Sequence, residues 1–165
     1  EGELLYYTRD EAILVRRRRL VIMALDPDLA RARVKDAHLP WQRIVLVLAT
    51  VMVLTKKLVE LLGEEALELR VVFLGDELAE EQALAELLLG EWRDKGMCEV
   101  TTSSWPALVT DATENTRRAL VEIVHLGATT PDDVDPRLVL VDFPLPTGTV
   151  EDWTRRITET LASLL

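Results

Sequence analysis

Three aspartates stand where this chain could most readily build a site. The run Arg19-Leu-Val-Ile-Met-Ala-Leu-Asp-Pro-Asp28 is apolar and ends abruptly in two carboxylates flanking a proline. A second apolar run, Leu138-Val-Leu-Val141, ends in Asp142. Such runs, too short to cross a bilayer, have the character of strands buried on both faces of a parallel sheet. Carboxylates that follow them fall at the carboxyl edge, where open α/β sheets bind ligands. Oxygen donors from separate loops suit a hard divalent ion such as Mg²⁺, which keeps several waters and needs few protein ligands. Asp-Pro-Asp is equally an ordinary turn and helix start, in which a carboxylate caps the following amides.

Other chemistries lack their signals. The glycines at 2, 63, 75, 90, 96, 127 and 148 form neither a Gly-x-Gly-x-x-Gly pattern nor a phosphate loop ending in Gly-Lys-Ser/Thr. Cys98 is followed by Glu99-Val-Thr-Thr-Ser-Ser104, without the arginine of a cysteine-dependent phosphatase loop, and reads as a buried, inert thiol. His38 and His125 belong to no metal-binding helix motif, and His125 is expected near a helix C-terminus as a favourable dipole contact.

At 165 residues the chain has the length of one domain with a substantial core. Hydrophobic residues at 48% with charged residues at 29% exclude disorder and fit a globular α/β protein. No apolar run reaches the ~18 residues of a membrane span, and the acidic start, with Glu1, Glu3, Asp10 and Glu11, is unlike a signal peptide. With a single cysteine, these features place the protein in the cytoplasm, off the membrane. A net charge of −10 argues against nucleic acid as a partner. Arg16-Arg17-Arg18-Arg19 is the basic exception, read as a solvated flank pinning the start of a strand or as a docking patch for an acidic partner.

The elements that would position the aspartates alternate. Residues 1–15 are an N-terminal arm or edge strand; Leu20 to Leu25 is a strand; Leu29 to Pro40 is a loop or short helix; Trp41 to Gly63 is a long buried helix. Leu69 to Leu74 is a second buried strand. Ala79 to Lys95 is a helix with Ala83, Leu84, Leu87, Leu88 and Trp92 at helical spacing, and Cys98 to Thr102 is a third strand. Ser103 to Asp111 reads as a loop because Pro106 weakens a strand. Glu114 to Leu126 is expected as a helix stopped by Gly127, Thr129 to Asp133 as a turn, Leu138 to Val141 as a fourth strand, and Val150 to Leu165 as a helix capped by Thr149. Alternating strands and helices imply an α/β, three-layer Rossmann-like domain: a mostly parallel central sheet with helices on both faces, and room for a further strand beyond residue 165.

The order strand, acidic loop, long helix, Leu69-Arg-Val-Val-Phe-Leu-Gly-Asp76, helix, Asp111-Ala-Thr-Glu-Asn-Thr-Arg-Arg-Ala-Leu120, then Arg137-Leu-Val-Leu-Val-Asp-Phe-Pro-Leu-Pro-Thr-Gly148, resembles a von Willebrand factor A (vWA) domain. That family has a metal-ion-dependent adhesion site made of an Asp-x-Ser-x-Ser motif after the first strand, a threonine in a later loop, and an aspartate closing a later strand. The resemblance places the metal ligands on Asp26, Asp28, Thr113 (or Thr116) and Asp142. Asp28 and Ala30 stand where the motif has serines, and Phe143 where a glycine follows the closing aspartate. The resemblance therefore implies a degenerate site with at most weak Mg²⁺ binding, no other cofactor, and a non-enzymatic module that docks a protein partner through the carboxyl edge. A sensor binding a small ligand there, in a pocket lined by Trp105, Thr110 and Thr113, is the second reading. A metal-dependent hydrolase using Asp26 and Asp142 is the third. The sequence leaves the oligomeric state open.

The strand assignment has a direct test. Val72→Asp places an unpaired charge in a dry strand, at a cost of several kcal/mol against a total stability of about 5–15 kcal/mol. The variant should show no cooperative thermal melt; a soluble, cooperatively melting protein would contradict the placement.

Overall fold

Six consecutive residues, Leu20 to Leu25, are each at most 1% exposed. A strand this dry needs a neighbour on each side and a layer on each face. The computed structural model, which describes residues 18–128 and 134–165, supplies all four. Strand β1 (Arg18–Leu25) lies at the centre of a five-stranded sheet with β2 (Leu67–Leu74), β3 (Cys98–Ser103), β4 (Ala119–Gly127) and β5 (Val139–Pro144). The strand order is β3-β2-β1-β4-β5 and every pairing is parallel. From β1 the chain builds outward to β2 and β3 on one side, then crosses to β4 and β5 on the other. The topological switch point therefore falls between β1 and β4.

One face of the sheet, carrying Val21, Met23 and Leu25, packs on α1 (Arg43–Leu62), α2 (Ala79–Leu88) and α5 (Val150–Leu164). The opposite face, carrying Leu20, Ile22 and Ala24, packs on α4 (Trp105–Asn115) together with Leu138. Helix α5 starts with a reciprocal capping box between Thr149 and Asp152. Its far end returns to the first strand, where Arg19 Nη1 donates to the Leu164 carbonyl at 2.6 Å. Arg19 also lies 3.7 Å from the buried Glu122 carboxylate, whose pKa burial raises. Arg19 thus pins the start of the strand, as one reading of the basic run expects.

Several expectations require correction. Residues 114–126 are not a helix: α4 ends at Asn115 and residues 119–127 form β4, which pairs with both β1 and β5. A continuous apolar run in a central strand fits either period, and the spacing of Glu122 from His125 imitates a helical polar face. The β-branched Val121, Ile123 and Val124 favour the strand. Residues 105–115, expected partly as loop, are α4. Pro106 sits in its first turn, where it needs no N–H donor, and the Ser104 hydroxyl caps the Ala107 amide. The strand ending in Asp142 is accordingly the fifth. The segment 79–95 is two helices, α2 and α3 (Gly90–Asp94), meeting at Leu89. Residues 27–33 form a 3₁₀ helix. The expected arm at 1–15 and the turn at 129–133 lie outside the described residues.

Cys98 is buried and burial pushes its thiol up to about 11. Among the described residues, no helix is long and apolar enough to cross a membrane.

The 3₁₀ helix is clasped to α2 by charge. Arg33 donates to both carboxylate oxygens of Glu81, at 2.8 and 2.7 Å, and to the Glu77 carbonyl at 2.9 Å. Glu81 is only 5% exposed, and the Arg33 hydrogen bond holds its pKa below the ordinary glutamate value. A carboxylate whose folded pKa is lowered adds stability that is complete above its unfolded pKa and is lost as the pH falls through the folded one. Arg33→Gln should therefore melt at lower temperature than the wild type at neutral pH, and the gap should close on acidification below the ordinary glutamate range. A gap unchanged by pH would remove the clasp from the stability of α2.

Candidate functional site at the carboxyl edge of the sheet

Register places the site. In the β1–β4 pairing Ala24 lies opposite His125, and in the β4–β5 pairing His125 lies opposite Asp142. Asp26 follows β1 by one residue and stays in line, its amide donating to the Leu126 carbonyl at 2.9 Å. Asp26 and Asp142 therefore belong to strands that are not neighbours. Two strand spacings, roughly 10 Å, separate their backbones, and the His125 imidazole fills the space between their side chains. Its Nε2 is 3.4 Å from Asp26 Oδ2, and its Nδ1 is 3.4 Å from Asp142 Oδ1.

The ring is fully buried. Trp105, at the start of α4, meets it edge-on with centroids 5.7 Å apart and planes at 77°. A carboxylate oxygen accepts from a ring nitrogen that carries a proton, so the imidazole faces a hydrogen-bond acceptor on each side.

The other aspartate is held by backbone. Asp26 Oδ1 accepts the Asp28 amide at 3.0 Å, which makes Asp26 the cap of the 3₁₀ helix, and Asp28 Oδ2 accepts the Ala128 amide at 2.9 Å. Burial is the main cause raising the Asp28 pKa; the neighbouring Asp26 carboxylate adds to it, and the Ala128 hydrogen bond opposes it. Both readings of Asp-Pro-Asp meet here, since the pair caps a helix and also lies at the carboxyl edge.

Thr113 is elsewhere. It lies near the C-terminal end of α4, where its hydroxyl donates to Asp135 Oδ2 at 3.5 Å, in the segment leading into β5. Thr116 donates to the Thr113 carbonyl. The structure thus gathers Asp26, Asp28 and Asp142 and leaves the threonines out. Among the described residues no group of three or more His, Cys, Asp or Glu side chains is disposed to hold a metal ion. The donors do not fit a divalent cation: two carboxylates face an imidazole, the third is engaged by an amide, and Ala30 offers no oxygen.

One cavity adjoins the bridge and another lies past the end of β5. The first, of about 380 Å³, is lined by Asp26, Leu74, Glu77, Ser103, Ser104 and Trp105. The other, of about 540 Å³, follows β5 and is lined by Pro144, Thr147, Asp152, Arg155 and Arg156 among others. Of the residues expected to line a sensor pocket, Trp105 is at the edge, whereas the Thr110 hydroxyl donates within α4 to the Pro106 carbonyl.

The family model for ivWA, described as the vWA domain found in the FtsH ternary systems, matches residues 1–159. The chain belongs to this vWA family. No curated protein and no solved structure matches it. A vWA domain is what the five-stranded parallel sheet and the placement of Asp26 and Asp142 at its carboxyl edge had indicated. The residue that sequence reasoning missed is His125, because its strand was read as a helix. Read as a strand, 119–127 puts His125 on the same face as Val121 and Ile123 and two residues from the end, as Asp142 is from the end of β5.

Gly127, expected as a helix stop, is instead a point of close approach. A Cβ there would lie 2.7 Å from Asp26 Cβ and 2.9 Å from His125 Cε1. Gly127→Ala should therefore destabilise the vWA domain by about 1–3 kcal/mol through overpacking. Gly90→Ala, where an added Cβ meets nothing within 4 Å, should not. Denaturant melts of the two variants check this, and equal stability would show that Asp26 and His125 yield freely.

Proposed function

We propose that this vWA domain is a non-enzymatic interaction module that docks a protein partner, another component of an FtsH ternary system, through the carboxyl edge of its sheet. The observation that carries the proposal is the imidazole between Asp26 and Asp142. Where the family resemblance sets two metal-ligating aspartates, His125 meets both carboxylates, so the edge is supported from within the chain. The domain works without a metal, as a preformed surface with one cavity beside the bridge and another past the end of β5. Its net charge of −10 sets it against nucleic acid as a partner. The engagement of both His125 nitrogens by carboxylates also speaks against a hydrolytic role for Asp26 and Asp142.

The test is co-purification with the other components of its FtsH ternary system, using one exposed variant at each cavity. Glu77→Arg and Thr147→Arg should each weaken the complex by about ten-fold or more, equivalent to about 1.4 kcal/mol, with the melting temperature retained. Wild-type binding by both variants would remove the carboxyl edge as the docking surface. A rise in the wild-type melting temperature on adding millimolar Mg²⁺ at constant ionic strength would reinstate a metal at the bridge.

A further inference from the structure

The sheet ends laterally in two edge strands, β3 and β5. Strand β5 finishes in Pro144, which carries no N–H and blunts its edge. Strand β3 holds neither proline nor lysine, and its β-branched Val100, Thr101 and Thr102 favour an extended chain. Its register with β2 sorts its backbone. Leu69 donates to the Met97 carbonyl at 2.9 Å and Gly75 to the Ser103 carbonyl at 3.1 Å, so the N–H and C=O groups of Glu99, Thr101 and Ser103 point to β2. Those of Val100 and Thr102 point away from the sheet, and among the described residues they have no hydrogen-bond partner. They are spaced to receive a further strand.

A cavity adjoins this edge. Glu99, Thr101 and Ser103 lie on the sheet face that carries Ile22, and the space of about 200 Å³ between them and α4 is lined also by Arg70, Leu108 and Asp111. Its charges are unbalanced. Arg70 is shared by Asp111 at 2.6 Å, Glu68 at 2.8 Å and Glu99 at 3.7 Å, and Arg118 stands 3.8 Å from Glu68. Three carboxylates thus face two guanidiniums, and the side chains of Glu99 and Asp111 are 63% and 55% exposed.

We infer that β3 takes an extended segment of a partner protein as a sixth strand, with lysine or arginine at the alternate positions that face α4. Unpaired backbone groups in a row select an extended chain over a helix: main-chain hydrogen bonds hold it, and the cavity receives alternate side chains. The excess carboxylate selects a cation. A second copy is disfavoured, because antiparallel pairing of two β3 strands about a two-fold axis would set Glu99 and Asp111 of both chains on one face. This lateral edge is distinct from the carboxyl edge and does not depend on the docking proposed there.

The experiment uses fluorescein-labelled peptides of about eight residues, long enough to span β3, that alternate threonine with lysine or threonine with glutamate. Fluorescence anisotropy should show the wild-type protein binding the lysine peptide at least about ten-fold more tightly than the glutamate peptide. Two further lysine peptides are N-methylated at alternate amides, one along each edge, and only the one methylated along its pairing edge should lose binding, by a similar factor. Thr102→Pro removes an outward N–H without a ladder bond, and Glu99→Lys reverses an exposed charge. Each should weaken the lysine peptide about ten-fold with a cooperative melt retained, and the methylated peptides read the edge on the wild type even if Thr102→Pro does not fold. Thr147→Arg should bind the peptide as the wild type does, so failure of this edge and failure of the carboxyl edge are distinguishable. Equal binding of the two methylated peptides, or indifference to peptide charge, would overturn the inference. So would sedimentation velocity showing a wild-type dimer that Thr102→Pro abolishes.

Discussion

A parallel sheet gives its central strand no wet side, and β1 bears this constraint most fully. Val21, Met23 and Leu25 supply one hydrophobic layer, and Leu20, Ile22 and Ala24 the other. Every polar backbone group of such a strand must be paired laterally, so β2 and β4 are obligatory neighbours and the crossovers between them must lie on the faces. The switch point between β1 and β4 follows from that arrangement. It opens the sheet where β1 ends, and the polar residues that terminate the apolar run are placed there by the chain's need to stop being dry.

The carboxylates at that edge pose an electrostatic problem that a fold can answer in several ways. Two anionic groups near a buried strand end repel each other unless a cation, a proton or a donor lies between them. Here β4 intervenes and brings an imidazole into register. A ring carried by the backbone is always present and costs no association entropy, whereas a bound ion depends on its concentration. Trp105 meets the ring edge-on, and the glycine at 127 leaves room for it.

Most of the architecture was legible in the sequence, for physical reasons that also explain the failures. The strands around Leu20 to Leu25, Leu69 to Leu74 and Leu138 to Val141 are short apolar runs closed by charge, glycine or proline, and these signals are local. Helix α1 stands out by its length and Gly63, and α5 by its capping box. The run at 119–127 is different, because burial on both faces erases the alternation that distinguishes a strand, and its two polar residues happen to be three apart. That single misreading hid the place of His125 between Asp26 and Asp142. Asp26, Asp28 and Asp142 were still placed at the right edge, since a strand end is visible without knowing what lies beside it. Thr113 was carried by analogy to a family motif, and no local pattern marked it. The stripe of Ala83, Leu84, Leu87 and Leu88 is not the core face of α2, which instead packs Ala85 between buried Leu78 and Leu89 and holds Glu81 to an arginine 48 residues away.

The bond from Arg19 to the Leu164 carbonyl joins residues 145 positions apart. Ordering in time follows from it. Parallel strands already oblige the chain to close long loops before lateral pairing is rewarded, and this contact closes one more. During vectorial synthesis the guanidinium of β1 emerges early and has no carbonyl to meet until α5 is complete. The start of β1 and the end of α5 are thus tied to each other, and opening either one frees the other.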